Sequence, residues 1–165
     1  MCMKYSGISD CDIANGLGLR VVLFTSGCSH RCPGCHNPET WDPDFGEEFT
    51  QKTLDKLISL LDRPYIDGLT LSGGDPLFSN NIETVEQICK EIKKRLPDKN
   101  IWLYTGYQYE EIKNLPVLKY VDFLVDGKFN FILRDTSLAF RGSSNQRIID
   151  LKETKKQNKI VVLDI

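Results

Sequence analysis

Three thiols fall within eight residues, in the stretch Cys28-Ser29-His30-Arg31-Cys32-Pro33-Gly34-Cys35. No other stretch constrains the chain so strongly. The apolar run 19–25 leads straight into it; short and rich in β-branched residues, it reads as a buried strand. Gly27, Pro33 and Gly34 then interrupt regular structure, so the thiols belong to a loop at that strand's carboxyl end. Cysteines this close on one loop predict a metal centre with three thiolate ligands. A structural zinc site needs four ligands in a closed tetrahedron, which His30, His36 or a distant cysteine would have to complete. A four-iron cluster is usually held by four thiolates; held by three, it leaves one iron open to a substrate or cofactor. The C-x3-C-x2-C spacing, with the motifs downstream, favours the open cluster, and zinc is the alternative.

The 165 residues suit one domain, 1–165, large enough to bury a full core. A net charge of −2, with 41% hydrophobic and 27% charged residues, argues against a nucleic-acid or membrane partner. No apolar run is long enough to span a bilayer, and 1–12 has no apolar signal core. The expectation is a cytoplasmic protein whose six cysteines are reduced thiols or metal ligands.

Residues 1–18 read as an irregular, glycine-punctuated lead-in with incidental thiols at Cys2 and Cys11. Thr50 is a candidate N-cap for a helix to about Asp62, with Leu54, Leu57, Ile58 and Leu61 on one face. A second strand, 68–72, runs into Gly73-Gly74-Asp75-Pro76. Asn80 and Glu83 resemble a capping pair opening a helix whose apolar stripe includes Cys89, read as a core residue. A third strand, 100–104, ends in Thr105-Gly106, and a short helix, 109–115, stops at Pro116. A fourth strand, 120–125, ends in Asp126-Gly127-Lys128. The charged run 152–159 reads as a solvated helix face, and 160–163 as an added edge strand. Strands alternating with helices predict an α/β fold with a parallel sheet. In such folds the chemistry gathers at the carboxyl ends of the strands, where this chain places its unusual residues.

Gly73 and Gly74 fit a tight turn, but bare backbone at a strand end also admits a ligand. Exposed carbonyls with the Asp75 carboxylate would seat an ammonium group. His30 reads as a surface loop residue. The ring of His36, next to the third cysteine, reads equally as a loop side chain or as packing for a ligand.

These residues carry a resemblance. The C-x3-C-x2-C loop followed by Gly-Gly-acid resembles the radical S-adenosylmethionine superfamily. Asn15-Gly16, Ser26-Gly27-Cys28, Cys35-His36-Asn37, Thr40-Trp41, Ser72 to Leu77, Tyr104 to Tyr107, Val125 to Phe129 and Arg141 to Gln146 resemble, in that order, the activases of anaerobic ribonucleoside-triphosphate reductase. The likeness covers about 12–150 and makes 151–165 an atypical C-terminal extension.

The resemblance implies a partial, open parallel β/α barrel of the radical S-adenosylmethionine type. It implies a [4Fe-4S] cluster on Cys28, Cys32 and Cys35, with S-adenosyl-L-methionine chelating the open iron. Gly73, Gly74 and Asp75 would hold the methionine ammonium, and Gly34, Cys35 and His36 would lie along the adenine. Asp126 and Lys128 match a strand end near the cofactor carboxylate. The implied activity is one-electron cleavage of the cofactor to a 5′-deoxyadenosyl radical, which removes an α-hydrogen from a glycine of the reductase large subunit. An activase of a different glycyl-radical enzyme is the alternative within the superfamily. The implied partners are that subunit and a low-potential electron donor such as a flavodoxin, and a homodimer is among the assemblies allowed.

Overall fold

The computed structural model describes residues 2–165. In chain order the elements are β1 (Lys4–Asp12), β2 (Arg20–Thr25), β3 (Glu47–Glu48), α1 (Gln51–Leu61), β4 (Gly68–Gly73), α2 (Ile82–Arg95), β5 (Asn100–Tyr104), α3 (Tyr109–Ile112), β6 (Phe123–Asp126), β7 (Arg147–Asp150) and α4 (Leu151–Gln157). One seven-stranded sheet runs in the order β3-β1-β2-β4-β5-β6-β7. The central β2, β4, β5 and β6 are mutually parallel. The flanking β1, β3 and β7 are antiparallel to their neighbours. The sheet is therefore mixed, with its parallel part at the centre.

The parallel strands are sequential in the chain and step across the sheet in one direction. Right-handed crossovers then put their helices on the same face. The two-residue period of the strands separates the faces. Val21, Leu23, Leu69, Leu71, Ile101 and Leu103 point into the helix-side core. There they meet Leu54, Leu57 and Leu61 of α1 and Val85, Ile88, Cys89 and Ile92 of α2. Cys89 is fully buried, and desolvation pushes its thiol up to about 12, as expected of a core residue. The opposite face carries a smaller cluster of Trp102, Val125 and Ile148, with Tyr104, Phe123, Phe140 and Leu163 against it.

Thr50 caps α1 as the sequence predicts, its side chain accepting from Thr53 N. Other expectations are corrected. The lead-in is not irregular: Lys4–Asp12 pairs with β2 through a register broken by two shifts. Asn80 does not cap α2. The N-cap is Asn81, which makes no side-chain cap; its Nδ2 donates to Ser26 O at 2.8 Å. The helix after β5 is one turn, 109–112, with a 3-10 turn over Pro116–Tyr120 before β6. The run after 151 does form a helix, α4. The tail lies beside β7, with Ile149 bridging Val162 and Leu163 N donating to Ile148 O at 2.7 Å.

Arg20 is fully buried. Its guanidinium stands 5.6 Å from the Trp102 ring centroid. Nε donates to Thr70 Oγ1 at 2.7 Å, Nη1 to Leu17 O at 3.0 Å and Nη2 to Leu69 O at 2.8 Å. Desolvation pulls its pKa down to about 10, still well above neutrality, so the side chain stays charged. One residue thus ties the lead-in to β2, β4 and β5. Arg20→Met leaves the carbonyls of Leu17 and Leu69 without that donor. We expect it to lower stability by about 2–4 kcal/mol, from the desolvation cost of unpaired buried polar groups. Urea unfolding of the apo-protein measures this; a loss below about 1 kcal/mol would show that water replaces the guanidinium.

Candidate functional site

A cavity of about 420 Å³ opens at the carboxyl ends of the parallel strands. Four of those strand ends contribute to it: Cys28, Cys32 and Cys35 after β2, Ser72 to Asp75 at β4, Tyr104 to Gly106 at β5, and Gly127 with Phe129 after β6. The three loop thiols therefore face one space, as the spacing predicts, and each is partly exposed. The loop is held by Gly27 N and Cys28 N donating to Thr40 O and Trp41 O, at 2.7 and 3.2 Å. Within it, Cys35 N donates to Cys32 O at 3.1 Å. The turn also needs Arg31 at φ 51°, a left-handed conformation rare outside glycine.

Asp75 sits at the back of the cavity, 1% exposed. Its Oδ2 lies 2.7 Å from His30 Nε2 and accepts from Thr105 Oγ1 at 3.0 Å and Gly106 N at 2.9 Å. Its Oδ1 accepts from Leu77 N at 2.8 Å. A carboxylate with that many donors within the protein has little acceptor capacity left for an incoming ammonium. His30 is corrected from a surface residue to a nearly buried one, its side chain 6% exposed. The Tyr107 ring meets it edge-on at 4.6 Å. Sequence reasoning missed this role because the partner is 45 residues away and the histidine sits in a polar loop.

Gly73 and Gly74 both line the cavity. A Cβ on Gly73, at φ 103°, would fall 2.4 Å from the Thr25 backbone, and one on Gly74 would fall 2.6 Å from Gly27 O. Bare backbone here lets the β4 loop lie directly against the β2 loop, while its cavity side stays open to a ligand.

The remaining candidates divide. His36 lines the cavity with its ring 5.8 Å from Phe129. Gly34 lies at the loop surface beneath Phe131, which a Cβ would meet at 2.7 Å. Asp126 is 1% exposed and engaged in structure, with Arg147 Nε on Oδ1 at 3.0 Å and Tyr109 N on Oδ2 at 2.8 Å. The same Arg147 reaches Glu110 through two 3.0 Å bonds and holds that carboxyl below its ordinary range. Lys128 is exposed and contributes its carbonyl to Asn145 Nδ2 at 2.8 Å. Gln146 closes this corner, donating to Gly127 O at 3.1 Å and accepting from Gly142 N at 3.0 Å. Tyr104 and Arg141, from the stretches 104–107 and 141–146, also line the cavity. Phe140 lines it too and lies outside every motif that the sequence offers.

Burial pushes the Cys28 thiol up, and the nearby Asp75 and Cys32 add to this, against backbone N–H contacts from His30 and Arg31. Burial also raises Cys32, offset by the Phe129 backbone and the Lys128 charge. Among the described residues, the one set of ligand-capable atoms drawn within 4.8 Å of each other is Cys28, His30 and Asp75. The three thiols share the cavity without converging on a single-ion point. That arrangement suits a polynuclear core better than one zinc ion, and the soft thiolate donors suit iron and sulfide.

Comparison with known proteins points the same way. The family model described as "4Fe-4S single cluster domain" matches residues 14–149. Over 146 residues the chain is 49% identical to the anaerobic ribonucleoside-triphosphate reductase-activating protein of Enterobacteria phage T4, covering 88% of this chain and 93% of that protein. It is 42% identical over 154 residues to the protein of the same name from Escherichia coli (strain K12), covering 91% and 100%. The corresponding Vibrio cholerae protein is 44% identical over 150 residues, covering 88% and 97%. The chain belongs to this family of iron–sulfur activating proteins.

Cys28→Ala, Cys32→Ala and Cys35→Ala should each abolish iron and sulfide incorporation, whereas Cys89→Ala should retain both. Wild-type iron content in any of the three loop variants would remove that residue from the ligand set. Cluster assembly must displace protons from thiols whose pKa values are raised, so occupancy rises with pH. Iron retained against a chelator should fall as pH drops from about 8.5 to about 6.5. A flat profile would mean that proton release does not control assembly.

Proposed function

We propose that this member of the activating-protein family activates an anaerobic ribonucleoside-triphosphate reductase, using a [4Fe-4S] cluster held by Cys28, Cys32 and Cys35 together with S-adenosylmethionine. The observation that carries the reading is the convergence of three loop thiols and the Gly73-Gly74 loop on one cavity, in a chain so similar to proteins of that name. The chemistry that the cluster and cofactor supply when bound is one-electron scission of the sulfonium S–C5′ bond, giving methionine and a 5′-deoxyadenosyl radical that takes a glycine α-hydrogen from the reductase. The parallel strands β2, β4, β5 and β6 would form the open β/α barrel of the radical S-adenosylmethionine type.

The chain's own residues bind, orient and shield. Cys28, Cys32 and Cys35 would hold the cluster as thiolates. Main-chain carbonyls of the Gly73-Gly74 loop offer acceptors for the cofactor's amino end, because the Asp75 carboxylate is occupied by its own donors. His36 and Phe129 present ring surface to the cavity suited to a purine. Phe24, Tyr104 and Phe140 line the cavity on the side opposite the helices and exclude water from a reactive intermediate. The free thiols fit a reducing compartment such as the cytoplasm, with a low-potential donor such as a flavodoxin.

The test uses reductase deuterated at glycine Cα, incubated anaerobically with the reduced protein and S-adenosylmethionine. Deuterium should appear in 5′-deoxyadenosine, with a glycyl EPR doublet on unlabelled reductase that collapses towards a singlet on the deuterated protein. Cofactor cleavage without radical or deuterium transfer would assign the chain to a different glycyl-radical enzyme. No cleavage at all would overturn the radical chemistry.

A further inference from the structure

We infer that His30 is a positioning residue: through Asp75 it pins the cysteine loop to the ends of β4 and β5, and so sets where the thiols stand. This rests on reading Cys28–Cys35 as the ligand loop, but not on the identity of the cofactor or the target. Three independent contacts seat the imidazole. Nε2 lies 2.7 Å from Asp75 Oδ2, with both side chains nearly buried. Tyr107 closes over the ring from the edge at 4.6 Å. The third is a notch at Gly106, where an added Cβ would fall 2.4 Å from His30 Cδ2 and 2.7 Å from Nε2. Gly106 does not adopt the left-handed conformation that demands glycine, so its missing side chain serves the histidine ring.

The loop needs such an anchor. Its next residue, Arg31, holds a positive φ that costs free energy unless the surroundings impose it. The main-chain bond from Cys28 N to Trp41 O is long, at 3.2 Å. Asp75 itself is bonded on several sides: its N–H donates to Gly27 O at 2.8 Å and its carboxylate takes donors from Thr105, Gly106 and Leu77. A fixed acceptor facing a loop histidine transmits the position of β4 and β5 to the thiols. The same set of donors argues against Cys28, His30 and Asp75 serving as a separate cation site, since an ion on Oδ2 would have to displace them.

The experiment is made on metal-free wild-type protein and on the variants H30A, H30Q and G106A, with no cofactor and no activity measurement. Each is treated anaerobically with iodoacetamide, and alkylation at every cysteine is followed by mass spectrometry. Cys32 and Cys35 report loop opening, since neither adjoins His30. Fully buried Cys89 reports global unfolding and exposed Cys2 and Cys11 report reagent strength. H30A should speed alkylation of Cys32 and Cys35 by about five- to ten-fold, the change in local opening expected from losing one buried hydrogen bond, with Cys89 unchanged. G106A should reproduce this without altering His30, and the double variant H30A/G106A should be no faster than either single. H30Q, which can still donate to Asp75, should restore most of the wild-type protection. Unchanged rates in H30A, or additive effects in the double variant, would overturn the proposal. Acceleration at Cys89 as well would reduce His30 to a general stabiliser. The cofactor reading can fail in its own test while these rates stand, and the reverse.

Discussion

The carboxylate of Asp75 joins three strand ends that would otherwise be separate loops. Its own backbone continues β4, its side chain receives Thr105 and Gly106 after β5, and His30 brings in the loop after β2. Parallel strands make this possible, because their carboxyl ends lie side by side and their following loops rise from one edge. A short carboxylate can then reach across two neighbours. Backbone and hydroxyl donors around a buried carboxylate also hold it where it is, since moving it would strand them.

The two faces of the sheet divide the labour. On one, α1 and α2 bury an aliphatic layer that holds the parallel strands in register. On the other, Trp102 and the buried Arg20 fill the space beneath the cavity, and aromatic side chains continue towards its mouth. A charged guanidinium in that position is stable because it is stacked and donates at several points, including to backbone carbonyls near the β2 and β4 starts. The cavity floor is therefore filled and hydrogen-bonded.

Much of this was legible in the residues. The strand at 100–104 and the helix capped by Thr50 follow from periodicity and local chemistry that act over a few positions. The thiol loop was legible because three thiols lie within one short segment. What escaped was set by distance in the chain. The strand Lys4–Asp12 is polar and broken by Gly7, and it is a strand because β2 offers it a partner. His30 and Asp75 look independent until the fold places them in contact, and the engagement of Asp126 depends on Arg147 far downstream. Resemblance placed Asp126 and Lys128 by pattern; the fold adds that Asp126 is tied to Arg147 and that the exposed Lys128 carries its charge near Cys32.

The tail beside β7 bears on how the molecule can associate. Residues 161–163 occupy the backbone groups that β7 would present at its outer side. The opposite border ends in β3, two glutamates that pair only with Lys4 and Tyr5, so the outer side of β1 from Gly7 to Asp12 has no partner strand among the described residues. Open sheet borders invite other chains to add a strand, and here one is occupied while the other is open along a polar strand. Strand addition is therefore confined to the β1 side of the sheet. A strand added there would leave the parallel centre of the sheet, whose carboxyl ends carry the cavity, undisturbed.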